Sequence, residues 1–307
     1  MPSHDRQEPR DRIVRALIGD GAARIVVVVA TDVAREAARR HEASPAAAMA
    51  MGRAVTAGFL VATLTKDNER VTLQLLGSGP LGTLTVDAGS AGTARVFVAN
   101  PKAGGPLGVP PSLGQAVGRT GVVNVIRDLG PGRDFSGQTP IVDGEIDTDV
   151  EHYLCQSEQI DSALGCESRL DDQGGVSLAA GVLVQALPHG EGARYVAVAR
   201  RRLRDGALRA LRGEVTAAEL LAAVLGDDVD QVTVLPDPLP LRFHCPCSRE
   251  RAASTLALLG EDDLLNLIRE EGQADVTCEF CRARYDFTDV ALEGIRQGLR
   301  GDARLPS

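Results

Sequence analysis

Four cysteines near the carboxyl end stand in two close pairs, Cys245-Pro-Cys247 and Cys278-Glu-Phe-Cys281, with 30 residues between the pairs. Tetrahedral zinc takes this arrangement, because each knuckle supplies two thiolates at roughly 2.3 Å and the insert folds one knuckle onto the other. Cys245, Cys247, Cys278 and Cys281 are therefore expected to hold one Zn2+ per chain. Zinc keeps sulfur in its reactive thiolate form, so an oxidant would meet four activated nucleophiles at one point. A Cys278–Cys281 bridge resembles the ring closed by CxxC redox motifs, whereas a Cys245–Cys247 bridge is tighter, more strained and more easily reduced. Each bridge removes two ligands, so forming both would eject the metal. His244 adjoins the first pair and, with four thiolates available, reads as a neighbour of the metal rather than a ligand.

The remaining candidate chemistry is weaker. Cys155 and Cys166 lie far from the cluster in sequence and read as ordinary buried or half-buried thiols. His152 and Cys155 are close only because the chain is short between them, and no third orienting group is evident. Gly77-Ser-Gly-Pro-Leu-Gly82 matches a dinucleotide-binding pattern formally. The following Thr83-Leu-Thr-Val86 alternates like a strand, whereas pyrophosphate binding needs a helix N-terminus there. No enzyme is expected. Two alternatives stay open: a zinc ribbon with a constitutive structural metal, and a thiol–disulfide oxidoreductase using Cys278 and Cys281. The second needs a CxxC at a strand end opening a helix; here Cys278 follows Val276 and precedes Tyr285-Asp-Phe287, as in a zinc hairpin.

Charge and composition narrow the partners. Lys and Arg number 33 against 42 Asp and Glu, a net charge of −9, the wrong sign for neutralising phosphates. The stretch 236–290 carries six Arg and eleven acidic residues, and nucleic acid is not an expected partner. The apolar run Ile25 to Ala30 is six residues long, well short of the ~20 that cross a bilayer. The first twenty residues contain Asp5, Glu8 and Asp11 and lack the apolar stretch of a signal peptide. No membrane partner and a cytoplasmic location are expected, where clustered cysteines point to metal or redox chemistry.

These residues need elements to position them. Arg12 to Ile18 has apolar positions compatible with a helix, and Asp20-Gly21 then makes a turn into a β-branched strand over Ile25 to Val29. Ser44 as N-cap and Pro45 at the first helical position open a long, mostly buried helix to Leu64, interrupted only by Arg53. Val71 to Leu75, Leu84 to Val86, Arg95 to Val98, Gly121 to Ile126 and Ser177 to Gln185 read as strands. From Arg194 to Arg212 there are seven Arg and one Asp, and from Gly213 to Asp230 five acidic residues and no basic one. Leucines at helical spacing run through both blocks, which read either as solvated helical faces or as a switchable segment. Pro236, Pro238 and Pro240 break the chain. Beyond them, Ser248 caps a helix to about Leu259, and Glu261-Asp-Asp263 starts a second one before Gly272. A module of this size has a marginal core, so the metal's folding energy, about 10–16 kcal/mol for structural zinc, should hold it together. The expected fold class is α+β: a core with a mostly antiparallel sheet over 1–187, a metastable helical linker over 188–235, and a small zinc-binding module over 236–307.

The cysteine spacing, with Phe243, Ser248-Arg-Glu250, Tyr285 and Phe287, resembles the C-terminal zinc module of the redox-regulated heat-shock chaperones called 33 kDa chaperonins. Tyr153, Ser157-Glu-Gln159, Gly144-Glu145 and the Gly77–Gly82 hairpin resemble segments of that family's amino-terminal half, so the likeness spans nearly the whole chain. Arg95-Val-Phe97 and Asp161 depart from its usual pattern. The resemblance implies an ATP-independent holdase for unfolding proteins under oxidative and heat stress. It implies an inactive, zinc-bound, reduced monomer. Disulfide formation, zinc release and linker unfolding would convert this into an active homodimer.

Overall fold

The computed structural model describes residues 10–65, 69–104, 113–130, 132–188 and 190–302, so Asp5 and Glu8 lie outside the described residues. Two compact units divide between His244 and Cys245, downstream of the proline-rich segment.

The first unit opens with β1 (Arg12–Ile18) and β2 (Ala23–Val29), an antiparallel pair closed by a turn in which Gly19, Asp20 and Gly21 all have positive φ. The helix expected over 12–18 is therefore a strand. Ile13, Val14 and Ile18 are β-branched, and the pattern that suits one helical face also suits two sheet faces: Ile13 packs inward, while Val14, Ala16 and Ile18 pack outward. Helix α1 (Thr31–Arg40) precedes α2 (Pro45–Ala62). Helix α2 begins as its sequence predicts, with the Ser44 hydroxyl accepting from the Ala47 N–H and Pro45 in the first turn. By length and composition α2 could cross a membrane, but 89% of it is buried inside the fold.

Strands β3 (Arg70–Gly77), β4 (Thr83–Gly89) and β5 (Thr93–Val98) follow, then α3 (Leu113–Val117), β6 (Gly121–Asp128) and β7 (Asp134–Pro140). Helix α4 (Ile146–Gln156) leads to β8 (Ser162–Leu170) and β9 (Val176–Ala186). The charged segment forms α5 (Gly192–Arg204), α6 (Ala207–Ala210) and α7 (Ala217–Leu225), then short strands β10 (Val232–Val234), β11 (Leu239–Pro240) and β12 (Arg242–Phe243). One sheet runs β10-β1-β2-β9-β8, with β11 also on β1; the other runs β12-β5-β4-β3-β6-β7. Every pairing is antiparallel except β12 on β5.

Helix α2 packs against strands of both sheets. Its small residues permit this: a Cβ on Gly52 would fall 2.3 Å from Ser168 Oγ of one sheet, and a Cβ on Gly58 2.6 Å from Val86 Cγ1 of the other. The inner core joins α2 to Val26, Val28, Leu73, Val86, Val96 and Val125. Arg53 stays in this helix by facing three carboxylates, with Glu145 at 2.8 Å, Asp147 at 3.4 Å and Glu167 at 3.8 Å.

The second unit holds α8 (Arg249–Ala257), α9 (Glu261–Glu270), the hairpin β13 (Gln273–Thr277) and β14 (Arg284–Thr288), and α10 (Asp289–Asp302). Ser248 caps α8 as expected, accepting from the Arg251 N–H. Its buried apolar core is small: Ala252, Leu256, Leu264, Phe287 and Leu292.

Candidate metal and redox centre

Each knuckle is shaped by its own backbone. Cys245 and Cys247 flank Pro246, whose carbonyl accepts from the Arg251 guanidinium at 3.0 Å, so the first turn of α8 reaches back to hold the CxC segment. Cys278 and Cys281 occupy the turn joining β13 to β14. The Cys278 N–H donates to the Ala283 carbonyl and the Arg282 N–H to the Cys278 carbonyl, both at 2.8 Å. Arg282 takes a left-handed φ of 60° to close this turn. The CxxC thus lies in a β-hairpin and not at a strand end opening a helix, which removes the thioredoxin-like context the oxidoreductase alternative requires.

The hairpin brings the second pair onto the first. All four sulfurs lie within 4.8 Å of one another. Cys245 Sγ is 3.7 Å from Cys278 Sγ, and Cys247 Sγ is 3.1 Å from Cys281 Sγ. Thiolates at the corners of a zinc tetrahedron stand about 3.8 Å apart, so the donor set and spacing fit one tetrahedral, thiophilic ion. Cys281 is buried and the other three are half-buried, within reach of an oxidant. Burial works against a thiolate at Cys247, but hydrogen bonds from the Tyr285 hydroxyl at 3.2 Å and from the neighbouring sulfurs outweigh it and bring this thiol down to about 7. Donation to Cys247 in turn holds the Tyr285 phenol up at about 12. Burial pushes Cys281 up. Tyr285 was a motif residue in the sequence; its grip on Cys247 became visible only with the hairpin register that pairs it with Val276. His244 lies outside the cluster and donates its backbone N–H to the Ala94 carbonyl.

Cys155 and Cys166 sit in the first unit. Cys155 faces the Ser162 carbonyl at 3.7 Å. Burial, reinforced by Asp147, raises Cys166 well above an ordinary thiol, which makes it a poor nucleophile in the folded protein.

The two charge blocks form a second feature. Leu208, Leu220, Leu221, Val224 and Leu225 are buried, with Tyr195, Val196 and Ala199, against the outer face of the first sheet. That face consists of Ile25, Val27, Val29, Ala180, Val182 and Val184, alternate residues of its two central strands. Helix α7 starts in a capping box between Thr216 and Glu219. Arginine supplies the polar fastenings: Arg169 donates to the Leu211 carbonyl at 2.6 Å, and Arg202 to the Ala223 carbonyl at 2.7 Å.

The chain matches the Hsp33 protein family over residues 11–288. It is 39% identical to a 33 kDa chaperonin of Gloeobacter violaceus, over 97% of this chain and 99% of that one. It is 33% identical to a 33 kDa chaperonin of Bacillus subtilis, over 93% and 98%. The crystal structure of the 33 kDa chaperonin (heat shock protein 33 homolog) from Thermotoga maritima superposes with a TM-score of 0.81 at 30% identity, covering 95% of this chain and 99% of that one.

Proposed function

We propose how this chain works from one established premise: it belongs to the Hsp33 family. It is a heat-shock chaperone, acts on client proteins, and carries a cysteine cluster suited to a metal. Our reading goes further. The chain is an ATP-independent, non-enzymatic holdase of the cytoplasm, kept inactive as a reduced, metal-bound monomer and activated by oxidation. It divides functionally into the core 1–187, the linker 188–235 and the module 236–307.

The observation that carries this reading is the apolar sheet face of Ile25, Val27, Val29, Val182 and Val184, wholly covered by helices that bear opposite blocks of charge. Apolar surface of this extent binds unfolding polypeptides when uncovered, and a cover held by a few leucines and arginines can be released. Zinc on Cys245, Cys247, Cys278 and Cys281 would keep the sulfurs as thiolates and tie the two knuckles together. Two thiolates in a knuckle surrender two electrons to a peroxide, which leaves as two hydroxides, and a sulfur–sulfur bond forms. Joined as Cys245–Cys247 and Cys278–Cys281, the sulfurs no longer offer four donors. Among the described residues the second unit's core has five buried apolar residues with partly buried ones packed around them, and in our reading a core of this size needs that tie to stay folded. From the linker's end at 235 the chain runs through β11, paired with β1, and β12, paired with β5, into Cys245, so in our reading a loosened knuckle releases the linker as these two-residue pairings give way. Exposed apolar faces then bind clients and pair two copies into the active dimer.

The test is suppression of light scattering by a thermally unfolding client. Peroxide-treated protein is expected to suppress it and reduced, metal-loaded protein is not. Equal suppression by the reduced form would overturn the switch and favour a constitutive structural metal.

A further inference from the structure

We infer that the groove between α4 and the open edge of β8 is a recognition site for basic, leucine-bearing helical segments, held shut by the linker's own segment of that kind. The inference rests on the switch reading, because the groove is vacated only when α5 departs. Strand β8 ends its sheet, and no strand among the described residues lies on its outer side. Its outward N–H groups are taken instead by α4 carboxylates: Leu164 N–H donates to Glu151 at 2.8 Å and Cys166 N–H to Asp147 at 3.2 Å. Beside them lies a cavity of about 320 Å³. Its walls on the core side carry Asp143, Glu145, Asp147, Glu151 and Glu167 against the single cation Arg53. The opposite wall is the linker, which contributes Arg200, Leu203, Arg204, Leu208 and Arg209 and no acid.

The fit is specific in shape as well as charge. Arg200 donates to Glu151 at 3.0 Å, to Asp161 at 2.7 Å and to the Ser162 carbonyl at 2.7 Å, closing the backbone edge. Arg204 approaches Glu151 at 3.9 Å. Between them Leu203 lies on Gly165, where a Cβ would fall 2.5 Å from the leucine methyl, so the missing side chain forms a notch for it. Arg200, Leu203 and Arg204 stand at i, i+3 and i+4, one face of a helix, which is the spacing of helix-in-groove recognition. Once α5 leaves, five carboxylates, one arginine and an empty leucine notch remain. Polypeptide segments that place Arg or Lys around a leucine on one helical face match them. Clients rich in such segments should be held in preference to acidic ones.

The probe is a fluorescent peptide of residues 194–212, added to the full chain. Anisotropy should report binding to the peroxide-treated protein and little to the reduced one. A scrambled peptide of the same composition, and an Arg200→Gln/Arg204→Gln peptide, should each bind roughly tenfold more weakly or worse. Glu151→Gln, which keeps an oxygen for the Leu164 N–H, should weaken the native peptide similarly. Equal binding of native and scrambled peptides would overturn the groove. Trypsin cleavage at the linker arginines, followed in the same samples, separates the two failures. If oxidation leaves cleavage unchanged, the switch reading fails and the groove is never vacated; if cleavage rises yet the peptides bind alike, the groove proposal fails alone.

Discussion

At the scale of single residues, the cluster depends on all four sulfurs because each knuckle contributes only two donors. Cys278→Ser removes one thiolate and the turn's contribution with it. Metal affinity of the reduced protein should fall by more than roughly 100-fold, measured by competition with a chromophoric chelator. These positions were legible in the sequence because CxC and CxxC spacing is local. Partners distant in sequence were not: Arg53 read only as an interruption of an apolar helix, and its carboxylates come from the N-cap of α4, from α4 and from β8. Arg53→Ala would leave those carboxylates facing one another without their cation, and unfolding free energy should drop by about 1–3 kcal/mol in urea titrations. Buried acids give a pH signature. Asp149 accepts from the Val142 N–H at 2.7 Å while its other oxygen has no hydrogen-bond partner among the described residues, and burial pushes it up to about 6. The fold then binds more protons than the unfolded chain between about pH 4 and 6, so this residue's contribution to stability falls as pH rises through that window. Asp149→Asn keeps an acceptor oxygen and cannot titrate. Relative to wild type, its urea midpoint should improve from pH 4 to pH 7; a constant difference would contradict the assignment.

At the scale of elements, the long helix, the central strands and the two module helices follow from caps, alternation and periodicity, which are written locally. The exception is β1, where seven residues fit either period and the choice is made by pairing with β2 and by the turn at Gly19–Gly21. Helices α1, α4 and α10 carried weaker signals, since alanine, acid and glycine dilute their apolar faces. The linker shows the same limit: its leucines marked helices, but only the fold reveals that their partner is the outer face of Ile25, Val27 and Val29. Leu221 and Val224 are buried in that contact. Leu221→Ala should cost about 2–5 kcal/mol, taken mainly from linker docking. The expected result is faster trypsin cleavage between 194 and 212 in the reduced protein, with metal content unchanged. Slow cleavage like that of wild type would mean that the leucines do not hold the cover.

At the scale of the whole molecule, a large first unit is joined to a second whose buried apolar core among the described residues is five residues, and the proposed switch places oxidation in this smaller unit. In the proposed account the coupling starts when the sulfurs cease to act as four donors, and the ion pairs of Arg200 with Glu151 and Asp161 are among the contacts the linker then gives up. The most direct test follows three quantities in one peroxide titration of the reduced, zinc-loaded chain: zinc released to an indicator, thiols remaining, and trypsin cleavage of the linker. The account predicts that all three move together, with one zinc released as four thiols are lost and with the linker opening over the same range. Complete loss of those thiols and of zinc with a linker that stays resistant to trypsin would contradict it.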